Sequence, residues 1–323
     1  MSDTAPLMAD SSDAVVYQVR HETHYDYTAP VVHAHHLLHL APRETAWQKT
    51  LLHRLELQPL ASSQREDDDA FGNCLTRIEL ARPHRQLQAI AHTQVALTPR
   101  RQPPAADSMP WERLRDELSY CGRPRSAREL EAVIYRVESP HARIKNAFSE
   151  FADECFPHGQ PILACAEALM HKLHRELTYD PKATHVGTPV STVLESRRGV
   201  CQDFAHLMIA CLRSRGLAAR YVSGYLRTVA PEGGTVLTGA DASHAWVSVY
   251  APPFDWVDLD PTNDVHVNTD HITLSWGRDF SDVSPVRGVI VGGGEHEVSV
   301  AVTVRALDAL DASAAMFNAS NTP

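Results

Sequence analysis

The chain has 323 residues, 43% of them hydrophobic and 22% charged, with a formal net charge of -10. That length can bury a core without disulfide or metal staples. The acidic balance speaks against nucleic acid and anionic membrane as partners, because both reward basic patches.

No apolar run reaches the roughly 18 residues of a membrane span. The start MSDTAPLMADSSD is polar and lacks both the basic and the apolar part of a signal peptide. No membrane association and a cytoplasmic location are therefore expected. The six cysteines, Cys74, Cys121, Cys155, Cys165, Cys201 and Cys211, form no CxxC pair. Free thiols in a reducing compartment are the expectation.

In chain order, residues 1–13 read as a disordered tail. Residues 14–100 read as a β-rich domain. There Tyr17, Val19, His21 and Thr23 alternate with polar residues, and Leu87, Ala89, Ala91, Thr93, Val95 and Leu97 share one parity. Of the 19 histidines, His33, His35, His36 and His39 crowd together in this domain. No HExxH or Cys–His finger spacing accompanies them, so they read as strand histidines, and no metal or other cofactor is expected.

Pro103 and Pro104 mark a linker into residues 101–160, a helical connection with helical spacing over Trp111–Leu118, Ala127–Val137 and His141–Phe151. Residues 161–280 form the core. One helix starts at Pro161 and runs to about Leu177; a second runs from Val200 to Arg215 and is capped by Gly216. Strands are predicted over Ala219–Leu226, His244–Tyr250 and Trp256–Asp260. Residues 281–307 read as a C-terminal β-hairpin about Gly292-Gly293-Gly294, and 308–323 as a loose tail. The fold class is α+β.

One cysteine has an unusual setting. Cys165 and Cys211 sit within helices among Ala and Leu, where a small buried thiol is common. Cys201 instead follows Gly199-Val200 and opens a helix. The free N–H groups and partial positive charge at a helix start favour an anion, and the same N–H groups can hold an oxyanion. A core thiol is the bland alternative.

A nucleophilic thiol needs a base, normally His. His206 lies five residues further along the same helix, about 140° around from Cys201, and faces elsewhere. His244 opens the strand His244–Tyr250, and Trp256–Asp260 follows after a Pro-containing connection. If these strands pair about Pro253, Tyr250 faces Trp256 and Trp246 faces Asp260. His244 then lies one diagonal step from Asp260, within reach of its carboxylate, and Asp258 lies further off. The competing reading of Asp260-Pro261-Thr262-Asn263 is a plain turn.

The segments GVCQDFAHLMIACLRSRGLAARYVSGYL, DASHAWVSVY and WVDLDPTND, with TYDPKATHVGTPVSTVLESRRGVC before and HITLSWGRDFSDVSPVRGVI after, resemble the bacterial transglutaminase-like proteins of the papain-like superfamily. YQVRHETHYDYTAPV, HLLHLAPRE and DDDAFGN resemble the β-rich domain that often precedes that core. The resemblance runs from about Tyr17 to about Val304 and is weakest over residues 100–160.

It implies a papain-like core, with a nucleophile-bearing helix packed on an antiparallel sheet. It also implies a catalytic triad of Cys201, His244 and Asp260. The implied chemistry is acyl transfer on a peptide or protein amide, either to water (peptidase or amidase) or to an amine (transglutaminase). The alternative is a binding or assembly module that keeps the fold. Inactive relatives usually lose a triad member, and this chain keeps all three.

Overall fold

The computed structural model describes residues 14–119, 124–227 and 243–308, with isolated positions up to 319. The expected N-terminal tail, most of the expected C-terminal tail and Cys121 lie outside the described residues.

The N-terminal sheet is organised by one long strand, β1 (Val15–Leu38). β2 (Gln48–Gln58), β3 (Ser63–Asp68), β4 (Cys74–Leu80) and β5 (His84–Leu97) complete the path β2-β5-β1-β4-β3. Along β1 from Tyr17 the buried residues fall at odd numbers up to Val31 and at even numbers from Ala34. The inversion coincides with an irregularity in pairing between Val31 and His33. Side chains alternate faces along a strand, so one inserted residue swaps the faces.

Three short helices make the connection, α1 (Trp111–Leu118), α2 (Ala127–Ile134) and α3 (Asn146–Ala152). The helix expected over His141–Phe151 is thus confined to its second half, because Ser139 and Ala142 close a turn on each other before it. The core continues with α4 (Ile162–Glu176), β6 (Thr178–Tyr179), α5 (Val190–Ser196), β7 (Arg198–Gly199) and α6 (Cys201–Ser214). Then come β8 (Ala219–Leu226), β9 (Ser243–Tyr250), β10 (Trp256–Asp260), β11 (Val265–His266), β12 (His271–Gly277) and α7 (Phe280–Val283).

The core sheet is antiparallel throughout, in the order β11-β10-β9-β8-β12. α6 is buried on every side from Phe204 to Arg213, as expected of a helix apolar all round, and it packs on β8 and β9. Its one buried cation, Arg213, donates to the carbonyls of Tyr135, Ala219 and Arg278 and to Ser139 Oγ, at 2.6–3.0 Å. Among the described residues no helix is long and apolar enough to cross a membrane.

The last strands, β13 (Val286–Gly292) and β14 (His296–Ala306), correct the expectation of a C-terminal hairpin. Both pair antiparallel with β1, β13 against Val31–Leu38 and β14 against Tyr17–Tyr27. Two segments antiparallel to one strand run the same way, so the chain does not reverse between them. Gly292, Gly293 and Gly294 all have positive φ (91°, 88° and 63°), and the Gly293 N–H donates to the Pro30 carbonyl. The glycines form a bulge that follows the irregularity in β1. A glycine-rich step between two strands signals a bulge as readily as a turn, and the deciding partner lies more than 250 residues upstream.

The two sheets meet through an apolar cluster in which Tyr17, Val19, Val95 and Leu97 pack on Tyr225 and Ile272. Two side-chain amides join them as well. Gln48 Nε2 donates to the Thr273 carbonyl at 2.7 Å, and the Thr273 N–H donates back to Gln48 Oε1 at 2.8 Å. Asn73 Nδ2 donates to the Trp276 carbonyl at 2.8 Å, and the Trp276 N–H returns to Asn73 Oδ1 at 2.9 Å. Each amide thus stands in for a strand residue on β12, the edge of the core sheet.

Candidate active site

Cys201 is the first residue of α6 and is 9% exposed. The approach to it is fixed by a two-residue parallel pairing of β6 with β7, continued by the Asp180 N–H donating to the Gly199 carbonyl at 2.9 Å. Asp203 turns back on the helix start. Its Oδ2 accepts from the Val200 N–H at 2.8 Å and from Thr184 Oγ1 at 2.5 Å. This explains Gly199: a Cβ there would lie 2.6 Å from Asp203 Oδ2, so a close approach, and no positive φ, requires the glycine. An anionic residue in the first turn complements the helix start and satisfies one of its free N–H groups.

β9 and β10 pair with Tyr250 opposite Trp256 and Val247 opposite Leu259, the register that the hairpin argument assumed. His244 Nε2 lies 2.9 Å from Asp260 Oδ2, both side chains fully buried. Asp258 points elsewhere and pairs with Arg100 at 3.0 Å.

Asp260 gathers five hydrogen bonds. Its Oδ1 accepts from the Thr262 N–H at 2.9 Å and the Asn263 N–H at 3.3 Å. Its Oδ2 accepts from His244, from Asn263 Nδ2 at 2.8 Å and from His271 Nε2 at 3.1 Å. Burial alone would raise this carboxyl; the two histidines outweigh it and hold the pKa well below the carboxylate range.

The same carboxylate drives its two histidines apart. Burial disfavours the charged form of His244, but the Asp260 carboxylate and the Cys201 sulfur raise its pKa. For His271 burial prevails over Asp260, with His244 and Arg100 adding to the fall, and the pKa is lowered. His244 is thus poised as the proton-bearing group and His271 as a neutral donor, a separation of roles made by environment. His244 Nδ1 has no hydrogen-bond partner of good geometry among the described residues, yet the ring feels Cys201 both as a charge and as a partner. With Nε2 taken by Asp260, Nδ1 is the nitrogen available to the thiol.

His271, at the start of β12 and 2% exposed, was not read as a site residue from the sequence. It lies eleven residues past Asp260 on a strand at the far edge of the sheet, so no local spacing reveals it. Trp246 packs edge-on to its ring at 5.3 Å. His206, set aside on helical geometry, stacks on His141 at 5.2 Å and accepts the Phe280 N–H at 3.2 Å. Burial brings its pKa down to about 3, which fits a packed structural imidazole.

The ligand atoms of His244, Asp260 and His271 lie within 4.8 Å of one another, the spacing of a metal site. Both Nε2 atoms, however, are already committed to the carboxylate, which is itself saturated with donors. A hydrogen-bonded network fits these residues better than a cation. His271 also lines a cavity of about 540 Å³ with Glu167, His171, Asp264 and His266. Neither Cys201 nor His244 lines it, so it is separate from the thiol.

Residues 150–261 match the transglutaminase-like superfamily core, and residues 17–96 match the bacterial transglutaminase-like N-terminal region. An uncharacterized protein of Mycobacterium tuberculosis is 36% identical over 324 residues, covering 97% of this chain and 100% of its own length. The protein-glutamine gamma-glutamyltransferase of Pseudomonas aeruginosa is 32% identical over 111 residues, covering 33% of this chain and 17% of its own length. The crystal structure of a candidate cysteine protease from Cytophaga hutchinsonii aligns over 92% of both chains with a TM-score of 0.70 and 18% identity, a likeness of fold. The chain belongs to the transglutaminase-like superfamily, with the β-rich N-terminal region found among its bacterial members.

Proposed function

We propose that this chain catalyses thiol-dependent acyl transfer on a peptide or protein amide. Cys201 is the nucleophile, His244 the base and then the acid, and Asp260 the residue that orients the histidine. The thiol proton passes to His244 Nδ1, and the thiolate sulfur attacks the amide carbonyl. The tetrahedral intermediate collapses to a thioester as the imidazolium returns the proton to the leaving amine. Water or a second amine then takes the acyl group, with His244 removing its proton. The Cys201 N–H, at the helix start, is placed to stabilise the oxyanion.

The observation that carries this reading is the buried 2.9 Å contact of His244 with Asp260, on a ring whose Nδ1 takes no other partner among the described residues. The raised pKa of His244 supports the same assignment, because it favours the imidazolium that such a mechanism must form.

Labelling with iodoacetamide at neutral pH, followed by peptide mapping, tests it. Burial, with help from Glu66 and Asp68, raises the pKa of Cys74, and burial raises those of Cys155, Cys165 and Cys211. These four thiols should stay silent. Cys201 is expected to alkylate first, at a rate that falls when His244 is replaced by Ala. Modification of Cys74 before Cys201 would count against catalysis and favour a binding module that keeps the fold.

A further inference from the structure

The cluster of histidines at the end of β1 and just beyond it is divided by the geometry of the strand. His36 is buried. His39 is buried too, with Nε2 3.2 Å from Asp69 Oδ2 and Nδ1 3.2 Å from the Ser284 carbonyl oxygen. His33 and His35 follow the irregularity that swaps the faces of β1 and are turned outward, part-exposed and exposed. Across the strand pair, His35 stands directly opposite Glu79 of β4, and His33 is two residues away on the same face. Three metal-ligating side chains thereby converge from two strands.

Their ligand atoms meet. His33 Nε2 lies 2.9 Å from His35 Nε2 and 3.4 Å from Glu79 Oε1, and all three ligand atoms lie within 4.8 Å of one another. Zinc bonds to imidazole nitrogen and carboxylate oxygen at about 2.0–2.2 Å, so the edge of its tetrahedron is about 3.3–3.6 Å. The 3.4 Å separation lies on that edge; the 2.9 Å one is a hydrogen bond shorter than it, so the two imidazoles must part slightly to admit an ion.

We propose that His33, His35 and Glu79 form a binding site for a borderline divalent transition-metal ion of the zinc class, with solvent completing the coordination. Two imidazoles and one carboxylate favour zinc, cobalt, nickel or copper over magnesium or calcium, which prefer all-oxygen sites. The contrast with His244, Asp260 and His271 supports the choice. There the carboxylate is saturated and sealed from solvent; here Glu79 is part-exposed, its side chain 37% accessible, and an ion can enter with its waters. An ion at this site would clip β1 to β4. The inference revises the sequence-based expectation of no metal and is independent of the chemistry proposed for Cys201.

Zinc titration of the full chain, without a polyhistidine tag and after chelator treatment, tests it. Thiol–imidazole pairs also take zinc, so the titration uses Cys201→Ala as parent, followed by calorimetry and by the visible bands of cobalt. The parent should bind one ion at this site. His33→Asn, His35→Asn and Glu79→Gln should each weaken it by about tenfold or more, since even loss of an outer partner costs metal sites about 10–100-fold. His92→Asn is the control, because His92 is a part-exposed histidine beside a single acid, Glu56, at 3.8 Å. It should bind as the parent does.

The melting temperature supplies a second readout, because an ion that binds only the folded chain raises it. It should rise with zinc in the parent and in His92→Asn, and stay fixed in the other three variants. No binding by the parent, or unchanged affinity in either His33→Asn or His35→Asn, would overturn the proposal.

Discussion

In the core sheet, five donors converge on the buried carboxylate of Asp260. In the N-terminal sheet the buried amides of Gln48 and Asn73 do the opposite and spread outward, each taking the N–H and C=O of a residue on β12. The first arrangement concentrates charge at one point and sets the protonation of two histidines. The second carries no charge and fixes the backbone of the strand that brings His271 to that point. The difference separates what a site needs for chemistry from what it needs to be held in place. The two should respond differently to mutation.

The strongest test falls on the concentrated side. Cys201→Ala should abolish acyl transfer, and His244→Ala should remove nearly as much, since the thiol loses its base. Asp260→Asn preserves shape but weakens the control of the His244 tautomer. Up to about 10⁴-fold in kcat is lost by such a change in a serine triad. The losses should be far from additive, because in the proposed mechanism the three groups act as one unit. Kinetics on an amide substrate, with a thermal melt to confirm folding, measure this. An active, folded Cys201→Ala would end the proposal.

A smaller effect is expected at His271, which touches Asp260 and reaches His244 through it. Removing a hydrogen bond to a charged group costs about 1.5–3 kcal/mol, or roughly 10–150-fold if it is felt in the transition state. His271→Ala should therefore slow alkylation of Cys201 less than Asp260→Asn does. It should also shift the pH dependence of alkylation, because the environment of Asp260 sets the proton affinity of His244. His271→Gln, which can restore an N–H donor, should recover part of the rate. An unshifted profile with lowered stability would make His271 a packing residue only.

How far the sequence went follows the same division. The helix start at Cys201 and the pairing of Tyr250 with Trp256 were legible because both rest on local signals: a cap, an alternation and a short connection. The contact of His244 with Asp260 followed from that register. His271 was not legible, since its approach to Asp260 depends on β12 adding to the free edge of β8, on the far side of the sheet from β10. The outward pair His33 and His35 was hidden for a similar reason. An inserted residue in β1 reverses which histidines face solvent, and period-two reading alone does not locate it. The continuous run of β13 and β14 along β1 was missed because local glycine signals do not name a partner.

The smallest effect on chemistry, and the clearest on stability, is expected at the amides. Gln48→Ala leaves the Thr273 N–H without its partner and takes the Gln48 bond from the Thr273 carbonyl. Asn73→Ala does the same at Trp276. Asn73 also donates to Asp69 Oδ2 at 2.8 Å and accepts from Arg43 Nη1 at 2.9 Å, so its four hydrogen-bonding positions are all used and its loss should be the greater. Each unsatisfied buried group costs about 1–3 kcal/mol, and urea unfolding should show losses of that order. Gln48→Glu is the sharper probe. It keeps the size and the acceptor for the Thr273 N–H but sets a carboxylate against the carbonyls of Arg43 and Thr273, where an amide N–H had donated to both. It should be no better tolerated than Gln48→Ala. The double variant tests the idea of one clamped strand: once one end of β12 is released, the second amide has less to hold, so the two losses should sum to more than the double variant loses. Strict additivity, with alkylation of Cys201 unchanged in all variants, would mean that the two contacts act separately and that the N-terminal sheet does not help to seat His271.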